Sequence, residues 1–309
     1  MDFSLTTLGT ASAVPTKDNF SSAHVLNVRG RLFLIDCCEG CQMLLRRNGI
    51  SHAKIDNIFI THIHGDHVFG LMPLLSTMAL QGRVAPLYIF APPAFSHILK
   101  FFKMYFGDGV QFDIIFTPLS STEPQTIIES RNFIVQTFPL NHKIETYGFL
   151  FKETEPLLNV HKWKVEADNL SLHEIALLKQ GQNVFREDGS LLDVNDFTYK
   201  PYTPRSAAFC SDTAVFEELP TWIAGVDLLY HEATFGSDMQ DKAAKYFHST
   251  SVDAAIVAKK AGAKKLVIGH FSSRCEDTNI LLAQARAIFP ETYLSKEGMV
   301  FDIPLQKNS

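Results

Sequence analysis

The sequence predicts a single α/β domain over residues 1–309, with strands inside and helices outside. Three observations carry this. Short apolar runs rich in Val, Ile and Phe alternate with longer segments of helical period. One polar stretch, residues 152–205, interrupts the alternation like an insertion. Side chains able to bind metal stand directly after several of the apolar runs.

Residues 3–8, 23–28, 32–36 and 57–60 read as strands, and Val28-Arg29-Gly30-Arg31 closes the middle pair as a hairpin. Residues 40–48 read as a short helix ended by Gly49, a residue type suited to the left-handed turn after a helix. A helix over 68–80 with Pro73 near its start, a strand at 87–90 and a periodic helix over 93–106 follow. The second half repeats the style. Strands are expected at 133–138, 147–151, 206–211, 227–230, 265–268 and 297–303, with helices at 250–261 and 281–288. Within 152–205 the only clear elements are a helical piece at 171–179 and a turn at Arg186-Glu187-Asp188-Gly189. An insertion of this length is usually functional or mobile.

Composition excludes several classes. A 46% hydrophobic and 20% charged chain is ordinary for a globular protein. No apolar run reaches the roughly 18 residues that cross a bilayer. The N-terminus reads as a strand and not as an export signal, so no membrane association and a cytoplasmic location are expected. Five cysteines, three of them in Asp36-Cys37-Cys38-Glu39-Gly40-Cys41, read as reduced thiols packed near a strand end. Cys38 and Cys41 lack the second pair that would complete a zinc site. The net charge of −5 argues against broad, nonspecific nucleic-acid binding. Two divalent ions would offset about four of those charges.

The strongest chemical signal is Thr61-His62-Ile63-His64-Gly65-Asp66-His67. A lone histidine after a strand is more often a polar turn residue. Three histidines and an aspartate within six residues are not. At strand spacing His62 and His64 point the same way and converge on one ion, while Asp66 and His67, beyond the Gly65 turn, reach a second. Imidazole and carboxylate suit Zn²⁺ and also accept Mn²⁺ or Fe²⁺. One cluster does not close two sites. His142, Asp212 and His270 each follow an apolar strand, the position at which α/β proteins place their sites.

The His-x-His-x-Asp-His run and the later His, Asp and His resemble the metallo-β-lactamase superfamily. Leu8-Gly9-Thr10, His231-Glu232-Ala233-Thr234-Phe235, His248-Ser249-Thr250 and Gly269-His270-Phe271-Ser272-Ser273-Arg274 resemble ribonuclease Z, a family of tRNA 3′-processing endonucleases, over nearly the whole chain. The resemblance implies a four-layer αββα sandwich with an arm-like insertion, two Zn²⁺ per chain, a homodimer and precursor tRNA as substrate. It implies that His62, His64 and His142 hold one zinc, that Asp66, His67 and His270 hold the other, and that Asp212 bridges them. It further implies Asp66 as proton acceptor, His248 as proton donor to the departing 3′-oxygen, and Glu232 as the partner that orients His248. His231, adjacent on the strand, points the other way and is expected to be structural. Arg274 is read equally as a phosphate contact or a surface salt-bridge residue.

Cys38 stands where the family usually has Gly, and an arginine common near residues 15–20 of such chains is absent. The insertion lacks the Gly/Pro-rich tip of bacterial members and carries seven Lys/Arg against nine Asp/Glu. Its one basic-aromatic cluster is His161-Lys162-Trp163-Lys164. The alternatives are a hydrolase of small or cyclic phosphodiesters on the same metals, a catalytically idle RNA-binding scaffold, and a lactamase, lactonase or thioesterase.

Overall fold

A computed structural model describes residues 2–307. Its first half runs β1 (Phe3–Gly9), β2 (Ala23–Val28), β3 (Arg31–Cys37), α1 (Cys41–Arg47), β4 (Ile55–Phe59), α2 (Gly65–Val68), α3 (Leu71–Leu80), β5 (Leu87–Ala91), α4 (Phe95–Phe106) and β6 (Ile114–Pro118). The chain then enters a second sheet through β7 (Gln125–Glu129), β8 (Phe133–Leu140) and β9 (Thr146–Glu153). It leaves that sheet for β10 (Asn159–Val160), α5 (Lys162–Ala167), α6 (Leu172–Lys179), β11 (Val184–Phe185), β12 (Leu191–Leu192), α7 (Val194–Phe197) and β13 (Thr198–Tyr199). It returns with β14 (Ser206–Cys210), α8 (Leu219–Trp222), β15 (Leu228–Glu232), α9 (Gln240–Tyr246), α10 (Ser251–Ala261), β16 (Leu266–Gly269), α11 (Thr278–Arg286) and β17 (Thr292–Leu294). β18 (Met299–Asp302) closes the first sheet.

The two seven-stranded sheets have the orders β18-β1-β2-β3-β4-β5-β6 and β17-β16-β15-β14-β9-β8-β7. Alternation along each strand sends neighbours to opposite faces. On β3, Leu34 faces α1, α3 and α4, while Phe33 and Ile35 face the other sheet. Phe33 meets Phe133 and Phe151 with ring centroids 5.5 and 5.3 Å apart, and Phe59 meets Phe149 at 4.9 Å. The outer face of the second sheet packs on α8, α10 and α11 through Leu229, Ile268, Ala254, Val257 and Leu281. Three apolar layers therefore separate four structural layers, αββα, as the resemblance implied.

This arrangement brings strand ends together. β3 and β4 are parallel, as are β14, β15 and β16. β8 is antiparallel to β9, which is antiparallel to β14, so β8 runs the same way as β14. The segments after β4, β8, β14, β15 and β16 carry the metal-capable side chains.

The expected helix over 68–80 is two helices. Gly70 interrupts it because its backbone lies against the end of β3: a Cβ there would sit 1.7 Å from the Cys38 carbonyl oxygen, and its N–H donates to Cys37 O at 2.9 Å. β6, β7 and β17 were not anticipated. β6 and β7 are partly exposed edge strands, and β17 has three residues, so none carries a strong apolar pattern. Cys38 fits its turn without strain, since positive φ falls at Asp36 (57°) and Gly40 (76°) and not at Cys38. Cys37, Cys38, Cys41 and Cys210 are buried free thiols, and Cys275 is partly exposed.

Between β9 and β14 the chain forms a small cluster with its own core of Leu170, Leu178, Leu192 and Phe197. Glu153, at the point of departure, is buried and accepts from Arg205 Nε at 3.0 Å, Arg205 Nη2 at 2.9 Å and Arg29 Nε at 2.6 Å. Arg205 also donates to Ile303 O at 2.8 Å, which ties both ends of the excursion to the segment directly after β18. Burial opposes the Glu153 carboxylate, but the Arg205 and Arg29 hydrogen bonds outweigh it and hold Glu153 below its ordinary pKa.

Two outcomes follow for stability. Glu153→Ala leaves the buried Arg205 guanidinium and the partly buried Arg29 guanidinium without their carboxylate and is expected to cost about 3–5 kcal/mol in denaturant unfolding. The Glu153 contribution is present above the unfolded carboxyl pKa of about 4.3 and is lost as pH falls through the lower folded value, so the variant should also show a shallower acid limb. His24 acts at a different pH. It is buried edge-on against the stacked rings of Phe209 and Tyr230, with neither ring nitrogen hydrogen-bonded, and burial lowers its pKa to about 3. The unfolded state binds one more proton between about 6.5 and that value, so stability falls on acidification across that window. His24→Phe is expected to remove this slope, and unfolding midpoints measured from pH 7 to 4 check it.

Candidate metal centre

Each site side chain is placed by the strand it follows. After β4 the chain passes through Thr61 and His62, and His64 caps the one-turn helix α2 that presents Asp66 and His67. After β8, Asn141 N donates to Thr213 Oγ1 at 3.0 Å and Asn141 O accepts from Ala214 N at 2.8 Å. Those two bonds dock the His142 turn on the Asp212 turn. His270 follows β16 with φ at 61°, and Phe271 is held by backbone bonds to Thr10 and Ser12.

The structure brings all seven expected ligands to one place. His62, His64, His142 and Asp212 each offer an atom within 4.8 Å of the others, and Asp66, His67 and His270 form a second such group. Asp212 divides its oxygens between them. Oδ2 lies 3.7 Å from His62 Nε2 and 3.9 Å from His142 Nε2, while Oδ1 lies 3.6 Å from His67 Nε2 and 3.1 Å from His270 Nε2.

The donor set fits a pair of divalent cations. Nε2 of His67, His142 and His270 is buried without a hydrogen-bond partner, a costly state that a metal would relieve. Burial, with the neighbouring His67, keeps His62 well below its usual pKa, in the neutral form a ligand needs. His67 behaves oppositely: burial works against its charge, but Asp36, Asp66 and Asp212 raise its pKa well above normal. The field that favours a proton there also favours a cation, so metal binding is expected to release that proton.

A second layer of partners aims the ligands by holding the ring nitrogen that faces away. Asp36 Oδ2 takes the His67 Nδ1 hydrogen bond at 2.7 Å, and Asp36 is fixed in turn by Thr61 N at 2.9 Å and Ser22 Oγ at 3.1 Å. The Phe247 carbonyl accepts from His142 Nδ1 at 2.9 Å, and Thr234 Oγ1 lies 3.0 Å from His270 Nδ1. Sequence reasoning assigned none of these roles. Asp36 had a visible signal, a carboxylate closing an apolar strand like Asp212. Phe247 had none, because its part is played by a backbone carbonyl set by a left-handed φ of 59°.

Beside this cluster lies a carboxylate–imidazole pair. His248 Nδ1 is 2.8 Å from Glu232 Oε1. Glu232 also accepts from Thr213 N, Thr234 N, Thr234 Oγ1 and Ser249 N, so the buried carboxylate is fully engaged. Burial opposes the His248 imidazolium, yet Glu232 raises it to about 9. His231 is buried and turns its Nδ1 to the Glu232 carbonyl at 2.8 Å, away from the cluster. Arg274 is exposed, forms no ion pair among the described residues, and lines the cleft of about 470 Å³ over the centre together with Lys143, Lys242 and Tyr246. His161, Lys162, Trp163 and Lys164 lie on the β9–β14 excursion, outside the residues lining that cleft.

Comparison with known proteins places this geometry in a family. The family described as Anti-Pycsar protein Apyc1 matches residues 3–161. Ribonuclease Z of Cytophaga hutchinsonii is 45% identical over 302 residues, covering 97% of this chain and 96% of its own. Ribonuclease Z of Bacteroides fragilis is 38% identical over 301 residues, covering 97% and 99%. Among solved structures, the short form of human tRNase Z superposes with a TM-score of 0.72 at 27% identity, over 97% of this chain and 99% of that one. The metallo-β-lactamase fold protein YhfI from Bacillus subtilis, at 18% identity, shares the fold with a TM-score of 0.69, over 98% and 100%. The Apyc1 match takes in His62 through His142 but stops before Asp212, Glu232, His248 and His270, whereas the ribonuclease Z matches run nearly end to end. The chain shares the Apyc1 family over residues 3–161 and, over nearly its full length, belongs to the ribonuclease Z family of the metallo-β-lactamase fold.

Proposed function

We propose that this chain is a zinc-dependent endoribonuclease that removes the 3′ trailer from precursor tRNA and leaves a 3′-hydroxyl. The observation that carries the reading is the Glu232–His248 pair beside a seven-ligand cluster. A hydrolase of acyl bonds needs the cluster and has no use for the pair. The named ribonuclease Z relatives, matched nearly end to end, support the substrate.

His62, His64 and His142 would hold one Zn²⁺, Asp66, His67 and His270 the other, with Asp212 shared between them. When bound, such a pair lowers the pKa of water and stabilises negative charge on a phosphodiester. The remaining work falls to side chains. Asp66, at the edge of the cleft, takes the proton of the attacking water. Lys143, Lys242 and Arg274 supply positive charge for the phosphate. His248 enters protonated because Glu232 stabilises its imidazolium, and it delivers that proton to the departing 3′-oxygen. Glu232 touches no reacting atom; it positions His248 and sets its charge.

A cytoplasmic location and a homodimer belong to the same proposal. Phe101, Met104, Tyr105 and Phe106 leave an exposed apolar face on α4 that a second copy would cover. A second reading, hydrolysis of small or cyclic phosphodiesters at the same centre, is favoured by an insertion with nine acidic residues against seven basic ones. Relative kcat/KM for precursor tRNA and a chromogenic phosphodiester separates the two readings.

Cleavage of an end-labelled precursor tRNA is expected to map to the base of the trailer, to stop with chelator and to return with Zn²⁺ or Mn²⁺. His248→Ala should keep its metal and lose about 10²- to 10⁴-fold in kcat; normal metal with normal cleavage would remove His248 from the mechanism. The acid form of His248 is lost as pH rises through about 9, so kcat should fall on that side. Glu232→Gln should move this alkaline limb to lower pH.

A further inference from the structure

A second cavity, of about 440 Å³, adjoins the cleft over the metal cluster. The two share Thr234, Phe235, Ser272 and Arg274 as a common wall. Thr234 is also the residue whose Oγ1 lies 3.0 Å from His270 Nδ1 and 3.3 Å from His248 Nδ1. The cavity therefore opens directly beside His248, the group that faces the departing oxygen.

Its lining divides into two kinds. Phe235, Met239, Ile280 and Leu281 make an apolar surface. Around it stand Asp238, Asp277 and Gln284. Ser237 N at 3.0 Å and Ser251 Oγ at 2.9 Å both donate to Gln284 Oε1, which fixes the carboxamide and leaves its Nε2 as a donor. Asp277 Oδ1 is used by Asn279 N and Nδ2, and its second oxygen remains an acceptor. Carboxylates repel a phosphate, whereas an apolar slot edged by one amide donor and carboxylate acceptors suits a flat, uncharged heterocycle bearing N–H groups.

We infer that this cavity binds the base of the nucleotide whose 3′-oxygen departs, and that it favours bases with an exocyclic amino group over uracil. The phosphate then lies at the metal cluster beside Arg274, and the base turns away from it past Thr234. This inference rests on the proposed phosphodiesterase reading and adds a base-recognition subsite to it.

Cys275 provides a direct test. It lines the cavity and is partly exposed, while the other four cysteines are fully buried among the described residues. Alkylation of Cys275 in the metal-loaded protein is followed by mass spectrometry with adenosine, cytidine, guanosine and uridine 3′-monophosphates. The amino-bearing nucleotides are expected to slow alkylation about tenfold at ten times their dissociation constants, with uridine weaker. Ribose 3-phosphate and inorganic phosphate should give no protection. Equal protection by the base-free compounds, or none by any nucleotide, overturns the inference.

Ile280, 57% exposed on α11, gives a second arm. Ile280→Trp should raise KM for precursor tRNA about tenfold, abolish nucleotide protection and leave hydrolysis of a base-free chromogenic phosphodiester unchanged. Sensitivity of cleavage to the nucleotide 3′ of the scissile bond, and not to the one 5′ of it, also overturns the inference. Protection without cleavage of precursor tRNA by the unmodified protein would leave the cavity assignment standing and remove the tRNA reading. Cleavage without protection would do the reverse.

Discussion

The Asp212 carboxylate is the constraint on which the rest of the site depends. It is buried, and its two oxygens face two different sets of imidazoles. Asp36 and Glu232 are buried around the same centre, and Asp66 is half-buried in it. Removing so many carboxylates from water is costly unless each is paired or coordinated. Asp36 and Glu232 are compensated within the chain, by Thr61, Ser22 and His67 for one and by five donors for the other. Asp66 and Asp212 have mainly imidazoles as partners, and burial raises their pKa values less than those imidazoles lower them. The same cluster of carboxylate and imidazole atoms fits metal, so metal binding is expected to supply part of the stability of the folded chain.

The fold serves that constraint through rigidity. Aromatic rings from both sheets lock the inner layer, so strand ends from the two sheets meet at fixed spacing. Three of the five described non-glycine residues with positive φ lie around the site. Asp36, Phe247 and His270 all have left-handed φ, a conformation that costs energy for non-glycine residues and persists only where surrounding contacts hold it. In each case those contacts are present: Thr61 and Ser22 hold Asp36, the His142 hydrogen bond holds the Phe247 carbonyl, and Phe271 is pinned to Thr10 and Ser12 beside His270.

What was legible in the sequence was whatever depends on side-chain type and local period. The central strands, the long helices α4 and α10, and the grouping of His62, His64, Asp66, His67, His142, Asp212 and His270 all leave such marks. Edge strands β6 and β7 do not, because one side of each meets solvent and the apolar pattern weakens. The break at Gly70 depends on a strand distant in sequence, and the role of the Phe247 carbonyl depends on a dihedral angle. The pairing of Glu232 with His248 at 2.8 Å came from family resemblance, since a separation of 16 positions along the chain hides it from any local pattern.

Metal stoichiometry tests the central claim most directly. Native mass spectrometry of the zinc-loaded chain should find two ions per chain, reduced to one in His142→Ala and in His270→Ala, with both bound more weakly in Asp212→Ala. A single ion in the unmodified chain, or two ions retained with unchanged affinity when Asp212 is removed, would contradict a shared carboxylate joining two sites.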